Sequence, residues 1–306
     1  MFNAIHAQDE PTVEAEIDST FFYVFDSLRD VNRNKVIVDR YHNTIYKPDY
    51  KELTAREMFR IMREDGFDVE FTEKALDSTN RELKDSNILI IHGLPNHRIK
   101  VAEDEILYQS PLSDEEVLNI GKYVANGGSL LLFVSHFPGG SGALPLLEAF
   151  GVKFRDGYAY HPRYPNESDC TDYCSHLDMN TGNGLLKKGH PIFSRKEIKP
   201  KNIKFFCGAA VFRNPEDVIL AYPNNTTNYT PTNIKDYQIE EFSDEYAGMI
   251  GFSFGKGKVI VCTDQGIFRS LDLLIDGKVY PVTIHHPDGD NAALFLNSIR
   301  WLGNLD

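Results

Sequence analysis

The stretch Asn126-Gly-Gly-Ser-Leu-Leu-Leu-Phe-Val-Ser-His136 decides the fold class. Its apolar run, residues 129–134, is short, continuous and bounded by turn residues, which is typical of a strand buried on both faces of a sheet. The two glycines before this run end a helix, and that helix begins at a capping box formed by Ser113 and Glu116. A helix that leads into a fully buried strand is the repeating unit of parallel α/β proteins.

The same alternation of strand and helix is found upstream. Residues 35–39 and 87–92 are short apolar runs that end in a polar residue, and residues 67–72 form a strand of alternating character. A helix over residues 54–66 is predicted between the first two strands, with Glu57 at the capping-box position. Such units favour right-handed crossovers and a parallel sheet with helices on both sides.

The rest of the chain departs from this regular pattern. Residues 156–203 are rich in Tyr, Pro, Asn, Asp and Gly, and we predict a long loop-rich excursion there, a kind of segment that often carries function. A β-hairpin is predicted at residues 249–264 and a final amphipathic helix at residues 291–302. We therefore divide the chain into an N-terminal extension, residues 1–33, and a single α/β domain, residues 34–306.

Composition and charge exclude two classes of partner. Hydrophobic residues make up 42% and charged residues 25% of the chain, as in ordinary folded proteins. The formal net charge of −13 opposes the approach of a polyanion, so no nucleic acid partner is expected. The longest apolar runs, residues 88–91 and 130–134, are far shorter than the roughly 20 residues that cross a bilayer, so no membrane span is expected.

The cysteines and the N-terminus leave the compartment open. Cys207 and Cys262 lie in apolar runs and are predicted to be buried small hydrophobes. Cys170 and Cys174 lie in a polar loop, where a local disulfide would favour an oxidising compartment, and no zinc-finger spacing includes them. The first residues fit either the end of a secretory signal cleaved near Ala7 or a frayed cytoplasmic terminus. A periplasmic or secreted location therefore has the same weight as a cytoplasmic one.

Five phrases in a fixed order carry a resemblance to a known family. They are Val36-Ile-Val-Asp-Arg-Tyr-His42, the segment from Ser113-Asp-Glu-Glu116 to His136, Leu147-Glu-Ala-Phe-Gly-Val-Lys-Phe154, Gly255-Lys-Gly-Lys-Val-Ile-Val261 and Asp290-Asn-Ala-Ala-Leu-Phe-Leu-Asn-Ser-Ile-Arg-Trp-Leu302. Together they resemble an uncharacterised branch of the class I glutamine amidotransferase-like superfamily, often found in exported bacterial proteins. The resemblance covers most of residues 34–302. It implies an open, mostly parallel flavodoxin-like sheet with helices on both faces, and no established reaction.

The chain departs from that superfamily at the position of its nucleophile. Active members place a cysteine on a sharp strand-to-helix turn, and the equivalent turn here is Val134-Ser-His-Phe-Pro-Gly-Gly140. This turn holds no cysteine, and glutamine hydrolysis of that type requires a thiolate. We therefore expect a protein that is not a glutamine amidotransferase.

Candidate site residues follow from the predicted ends of the strands, because ligands of open parallel sheets bind beyond the carboxyl ends of the strands. The sequence places three histidines, two carboxylates, a serine and a glutamine at those ends: Asp39, His42, His92, Ser135, His136, Asp264 and Gln265. Imidazole and carboxylate groups bind divalent metals or act as general acids and bases. The same residue types also cap helices and hold loops, so a structural role is the alternative.

Ser135 followed by His136 suggests a serine hydrolase. Adjacent residues of a strand point to opposite faces, so the base for Ser135 would have to be His42 or His92. The flanking residues also lack the Gly-x-Ser-x-Gly pattern of a nucleophile elbow.

Two further clusters have a simpler structural interpretation beside the functional one. Gly139 and Gly140 precede a predicted helix at residues 144–150, whose backbone N–H groups would hold an anion, although no phosphate-loop lysine is present. The run His285-His-Pro-Asp-Gly-Asp290 is metal-like in composition, but Asp290 directly before an apolar helix is better explained as its N-cap.

Three functions remain open at this point. The leading hypothesis is a ligand-binding or accessory domain that is not an amidotransferase, with a pocket at the strand ends under the 156–203 excursion. Its ligand would be a small molecule or a carbohydrate, the latter because tyrosines are frequent in the excursion: Tyr158, Tyr160, Tyr164 and Tyr173. The first alternative is a hydrolase that uses His42, His92, His136 and Asp264, with or without a divalent metal. The second is a structural interaction module.

Overall fold

The computed structural model describes residues 13–17, 20–28, 34–42, 55–102, 105–162, 175–194, 198–231, 237–242, 245–275, 278–281 and 283–305. The strands are β1 (Val13–Ile17), β2 (Lys35–Asp39), β3 (Asp68–Thr72), β4 (Ile88–His92), β5 (His97–Ala102), β6 (Glu105–Gln109), β7 (Ser129–Phe133), β8 (Lys153–Arg155), β9 (Tyr158–Tyr160), β10 (His176–Asn180), β11 (Asn202–Phe206), β12 (Ala210–Phe212), β13 (Val218–Ala221), β14 (Thr227–Pro231), β15 (Tyr237–Glu241), β16 (Ala247–Phe254), β17 (Gly257–Cys262), β18 (Leu271–Ile275) and β19 (Lys278–Pro281). The α-helices are α1 (Arg56–Glu64), α2 (Arg81–Lys84), α3 (Asp114–Ala125), α4 (Leu144–Ala149) and α5 (Asn291–Leu302).

A central sheet of nine strands organises the molecule, in the order β3-β2-β4-β7-β17-β16-β12-β8 with β13 paired to β16. The first five strands of this order run parallel to one another, and β16 runs antiparallel to β17. The carboxyl ends of β2, β4, β7 and β17 therefore lie side by side. The predicted α/β class with a mostly parallel sheet is confirmed.

Alternate residues of the central strands face two separate cores. Val38 and Ile90 belong to a core that includes Met58 of α1 and Phe295 of α5. Ile37, Leu89 and Ile91 belong to a second core, which also contains side chains of α3 and α4. Because apolar side chains alternate between the two faces along each strand, both faces need a cover of helices, which explains the predicted three-layer arrangement.

The helix starts agree with the sequence in one case and differ in another. The side chain of Ser113 accepts a hydrogen bond from the Glu116 backbone N–H, and Glu116 completes the predicted capping box at the start of α3. Thr54, the predicted N-cap of α1, lies outside the described residues. Asp290 occupies the predicted N-cap position of α5, but its side chain makes no capping hydrogen bond, because its Oδ2 accepts the backbone N–H of Lys201 at 2.7 Å instead. Asp290 thus joins the start of α5 to the entry of β11.

The excursion has more regular structure than the sequence predicted. It contains β9 and β10, which join the small antiparallel sheets β15-β14-β9 and β10-β11. The predicted late hairpin is β16–β17, and its turn approaches α3 so closely that a Cβ at Gly255 would lie 2.6 Å from the Ala125 backbone. Within the described part of the chain, no helix has the length and apolar character needed to cross a bilayer.

Candidate functional site

Asp39 and His42 form a closed cluster at the end of β2. The Asp39 carboxylate accepts the backbone N–H groups of Tyr41 and His42, and its Oδ2 lies 3.0 Å from Nδ1 of His42. On the other side of the ring, Glu116 Oε1 lies 2.9 Å from Nε2 as an ion pair, at an angle outside hydrogen-bond geometry. Burial opposes protonation of His42, but the hydrogen bond with Asp39 and the negative charges of Asp39 and Glu116 raise its pKa above the ordinary value.

His92 lies at the end of β4 and is fully buried. Its Nε2 donates to the backbone oxygen of Gln265 at 2.7 Å, and its ring stacks on Phe133 with centroids 4.3 Å apart. Burial lowers the pKa of His92 to about 3, so this imidazole is neutral at physiological pH. A neutral imidazole held between a carbonyl and an aromatic ring joins β4 to the loop after β17.

His42 and His92 lie on opposite faces of the sheet. Asp39 follows Val38, which faces α1 and α5, so the Asp39–His42 pair points to the other face and reaches Glu116 of α3. His92 follows Ile91, which faces α3 and α4, and its stacking partner Phe133 belongs to the α1 and α5 core. Because the sheet separates the two imidazoles, they cannot both contact the same atom of a substrate.

Ser135 and His136 lie in the loop after β7. Nδ1 of His136 lies 2.9 Å from the Phe137 carbonyl, and its ring stacks on Tyr158 with centroids 4.5 Å apart. Burial lowers the pKa of His136. Since its ring lies on Tyr158, the position of this imidazole depends on β9 of the excursion.

Gly139 and Gly140 pack tightly against the same loop. A Cβ at Gly140 would lie 2.5 Å from the Ser135 carbonyl oxygen and 2.3 Å from the Phe154 ring, and a Cβ at Gly139 would lie 3.0 Å from Cβ of Ser135. These contacts explain the presence of glycine at both positions by packing alone, without a bound anion. Pro145 near the start of α4 also removes one N–H group that an anion there would use.

Asp264 and Gln265 follow β17 and connect neighbouring segments. Asp264 is buried, its Oδ2 accepts the Phe206 N–H and its Oδ1 accepts the Gly266 N–H, both at 2.8 Å. Burial raises the pKa of Asp264 to about 7. The side chain of Gln265 donates to the carbonyl of His92 at 3.4 Å.

The predicted site residues therefore form three local groups. One contains Asp39 and His42, the second contains His92, Asp264 and Gln265, and the third contains Ser135, His136, Gly139 and Gly140. Within the described ranges, no set of three or more His, Cys, Asp or Glu side chains is arranged to hold a metal ion.

Cys207 and Cys262 are both buried, as the sequence predicted, but they differ in chemical state. Cys207 is disulfide-bonded, which its apolar surroundings in the sequence did not indicate. The partner of this disulfide lies outside the described residues, as do Cys170 and Cys174. Cys262 is free and buried in β17, and burial raises its thiol pKa well above the ordinary value. Neither Cys207 nor Cys262 can supply a thiolate nucleophile in this state.

The histidines of the His285–Asp290 run bind neighbouring protein groups. His285 is buried, with Nδ1 3.0 Å from the Thr283 hydroxyl and Nε2 2.6 Å from Asp272 Oδ1. His286 accepts the backbone N–H of Asp288 within the same turn. These contacts connect the turn before α5 to β18.

A cavity that the sequence did not predict lies beside β13. Its volume is about 480 Å³, and it is lined by Lys187, Val218, Ala221, Tyr222, Pro223, Asn224, Asn225, Thr226, Phe242, Glu245 and Tyr246. Because β13 and β17 are both antiparallel to β16, β13 points in the same direction as the parallel strands. The cavity is thus at the carboxyl edge of the sheet, but several strands away from His42 and His92.

Aromatic side chains form the floor of this cavity. The ring centroids of Tyr222 and Phe242 are 6.1 Å apart, and those of Phe242 and Tyr246 are 4.8 Å apart. The Tyr222 hydroxyl donates to the Ala209 carbonyl at 2.7 Å, which fixes that ring. The sequence signal that points to this cavity is a pair of aromatic residues, Tyr222 and Phe242, on either side of the polar tract at residues 224–230.

The rim of the cavity is polar. Lys187, Asn224, Asn225 and Glu245 are exposed, and their side chains make no hydrogen bond or ion pair with other residues that the structure describes. Asn225 has a φ of 67°, a left-handed conformation that Asn adopts more readily than most residues. Tyr158 and Tyr160 do not line the cavity, and Tyr164 and Tyr173 lie outside the described residues.

The sequence matches no protein-family model and no curated protein. Among solved structures, the mmIFT52 N-terminal domain is 13% identical, with a TM-score of 0.51 over 88% of this chain and 96% of that one. This likeness shows a shared fold. A ThuA-like protein from Bacteroides uniformis is 15% identical, with a TM-score of 0.47 over 92% of this chain and 94% of that one. Another from Parabacteroides merdae is 12% identical, with a TM-score of 0.40 over 90% and 91%. ThuA-like proteins have the class I glutamine amidotransferase-like fold, but similarities at these TM-scores carry no part of the functional argument.

Proposed function

We propose that this chain is a non-amidotransferase member of the class I glutamine amidotransferase-like superfamily, and that it binds a small polar molecule in the cavity beside β13. The observation that supports this is the combination of an aromatic floor with a polar rim whose side chains have no partner among the described residues. A volume of about 480 Å³ lies within the range of small-molecule sites.

Carbohydrates are the ligand class that best fits this lining. The apolar face of a sugar ring packs on aromatic side chains such as Phe242, and its hydroxyl groups need both donors and acceptors at the rim. Asn224 and Asn225 supply amide donors and acceptors, Glu245 supplies an acceptor and Lys187 a donor. Opposite charges on one rim do not favour a strongly charged ligand of either sign.

The hydrolase alternative would depend on the loop after β7. His42 is 7% exposed and His92 is 0% exposed, so neither reaches a substrate without movement of its neighbours. Ser135 and His136 are partly accessible, but the His136 imidazole is engaged by Phe137 and Tyr158. The ligand-binding function therefore requires fewer changes to the structure than the hydrolase does.

The disulfide of Cys207 supports a periplasmic or secreted location in this proposal. Structural disulfides persist in oxidising compartments and are rare in the cytosol. A carbohydrate-binding role outside the cytoplasm would be consistent with that location.

A panel of neutral, acidic and amino sugars tests the proposal by thermal-shift measurement on the full chain. We expect at least one saccharide to raise the melting temperature of the wild type, and Glu245→Gln, which replaces one acceptor oxygen by an NH2 donor, to reduce that shift. Glu148→Gln is the matched control, because Glu148 is an exposed glutamate on α4 that does not line the cavity. A shift that Glu245→Gln leaves unchanged would place the ligand elsewhere.

A further inference from the structure

An extended segment, residues 20–28, lies against α1 and α5, and we call it the arm. Its side chains alternate: Phe21, Tyr23 and Phe25 pack against the core beneath, whereas Phe22 is 57% and Val24 is 80% exposed. The arm belongs to no sheet, so its backbone groups need partners from elsewhere.

Four charged side chains supply the shortest of those hydrogen bonds, and we call them the clamp: Glu57, Arg60, Asp65 and Arg300. Arg56 adds a longer one, donating to the Phe21 carbonyl at 3.4 Å. Around Tyr23, Glu57 Oε1 accepts the backbone N–H at 2.8 Å and Arg60 donates to the backbone carbonyl at 2.7 Å. Further along the arm, Arg300 donates to the Asp26 carbonyl at 2.6 Å and Asp65 accepts the Leu28 N–H at 2.8 Å. The clamp thus binds the main chain of the arm through two acceptors and two donors.

The clamp is assembled from the folded domain and not from the arm. Arg60 donates to Glu57 at 2.8 Å, and Arg300 donates to both oxygens of Asp65 at 2.6 and 2.8 Å. The Glu57 and Asp65 side chains are 0% exposed, and such buried charges are costly unless all their hydrogen bonds are made. The arm completes these bonds, so the clamp favours an extended main chain at this place.

We propose that the clamp is a peptide-binding site of which the arm is an exchangeable occupant, and that the arm of a second copy of this chain binds there in the same way. Main-chain hydrogen bonds combined with pockets for alternate side chains are a recurrent way of recognising extended peptides. The arm's aromatic residues at alternate positions match the surface beneath it, so a second copy carries the fitting ligand. Because β1 lies directly before the arm and pairs with β18, exchange carries β1 to the β18 of the partner together with the arm, and mutual exchange gives a closed, symmetric pair.

A peptide of residues 20–28, fluorescein-labelled and flanked by lysines for solubility, tests the site by anisotropy. The receptor is the full chain with Tyr23→Ala, whose own arm is weakened. We expect this variant to bind the peptide about tenfold more tightly than the wild type. A peptide with Phe21, Tyr23 and Phe25 changed to alanine should lose about tenfold in affinity, and one with only Val24→Ala about twofold or less. Equal binding of both altered peptides, or no binding to either receptor, would overturn the proposal.

A second measurement uses the wild-type chain and does not depend on how Tyr23→Ala folds. Hydrogen exchange is followed in residues 20–28 with and without excess unlabelled peptide. We expect the added peptide to displace the arm and to speed exchange at Tyr23 and Leu28, whose N–H groups the clamp binds. Unchanged protection would show that the arm is a fixed part of the fold. Exchange between copies is then checked by mixing two differently tagged wild-type chains at high concentration, where the absence of mixed dimers would refute the second-copy partner.

Discussion

Replacement of His42 by alanine separates a structural role for the end of β2 from a catalytic one. The imidazole lies between Asp39 and Glu116, whose side chains are 0% and 6% exposed, and its own side chain is 3% exposed. Removing one partner of a buried ion pair costs about 3–5 kcal/mol, because the remaining charges stay buried without compensation. We expect His42→Ala to lower the free energy of unfolding by that amount. The exposed pair Lys74–Glu82 provides a control, since Lys74→Ala should cost about 1 kcal/mol or less.

The same cluster gives a pH dependence whose sign can be worked out. The pKa of His42 is raised above 6.5, so its contribution to stability is complete below that pH and is lost as pH rises through the folded value. Burial opposes ionisation of Glu116, but hydrogen bonds from Ser113 and Leu76 lower its pKa below 4.5, so its contribution is lost as pH falls through that lower value. The difference between wild type and His42→Ala should therefore be largest between about pH 4.5 and 6.5.

Urea unfolding of the wild type, His42→Ala and Lys74→Ala from pH 4 to 9 measures these differences. A His42→Ala variant that keeps full stability at pH 5.5 would refute the argument, because the cluster would then contribute nothing to the fold. The free energy of unfolding that His42→Ala loses relative to the wild type should become smaller above pH 6.5. If this difference became larger as the pH rises, the assigned direction of the His42 pKa shift would be contradicted.

Three further outcomes follow from the packing, the cysteines and the arm. Gly140→Ala should lower the free energy of unfolding by about 1–3 kcal/mol, because the new Cβ meets Phe154 and Ser135. Gly121→Ala on α3 is the control: its Cβ meets nothing within 4 Å, so this variant should be as stable as the wild type or more stable. Chemical denaturation of both variants measures the two differences. Mass spectrometry after alkylation of the denatured, unreduced protein should find Cys262 modified and Cys207 unmodified; alkylation of Cys207 would disprove its disulfide. Arg300→Ala should cost about 3–5 kcal/mol and speed proteolysis of residues 20–28, and an intact arm in this variant would contradict the clamp.

The fold was largely predictable because its main signal is local. Buried parallel strands are continuous apolar runs, and β2, β4 and β7 each appear in the sequence as such a run. The start of α3 was equally clear, because a capping box needs only two residues three positions apart, here Ser113 and Glu116. The parallel direction of the central strands followed from the alternation of strands and helices.

The candidate site was less predictable because it depends on register. Val38 pairs with Ile90, which aligns Asp39 with Ile91 and puts His92 one position further along and on the other face. No local pattern reveals that offset. The same holds for Glu57, which occupies a capping-box position in the sequence but accepts the N–H of Tyr23 from the arm.

The cavity escaped prediction for a related reason. Tyr222 and Tyr246 are distant in sequence and meet because β13 pairs with β16, with irregular register. Lys187 reaches the rim because its backbone N–H donates to Ile219 of β13. Such long-range antiparallel pairings leave a weak signal in a single sequence.

Calorimetric titration of the strongest saccharide from the panel into wild type, Asn225→Gly and Glu148→Gln tests the binding proposal most directly. Glycine accepts the left-handed backbone at position 225, so this variant removes the amide without straining the loop. We expect Asn225→Gly to weaken binding by about tenfold, the loss of one well-placed hydrogen bond, and Glu148→Gln to bind like the wild type. Equal affinities in all three proteins, or no binding by the wild type, would contradict a carbohydrate site beside β13.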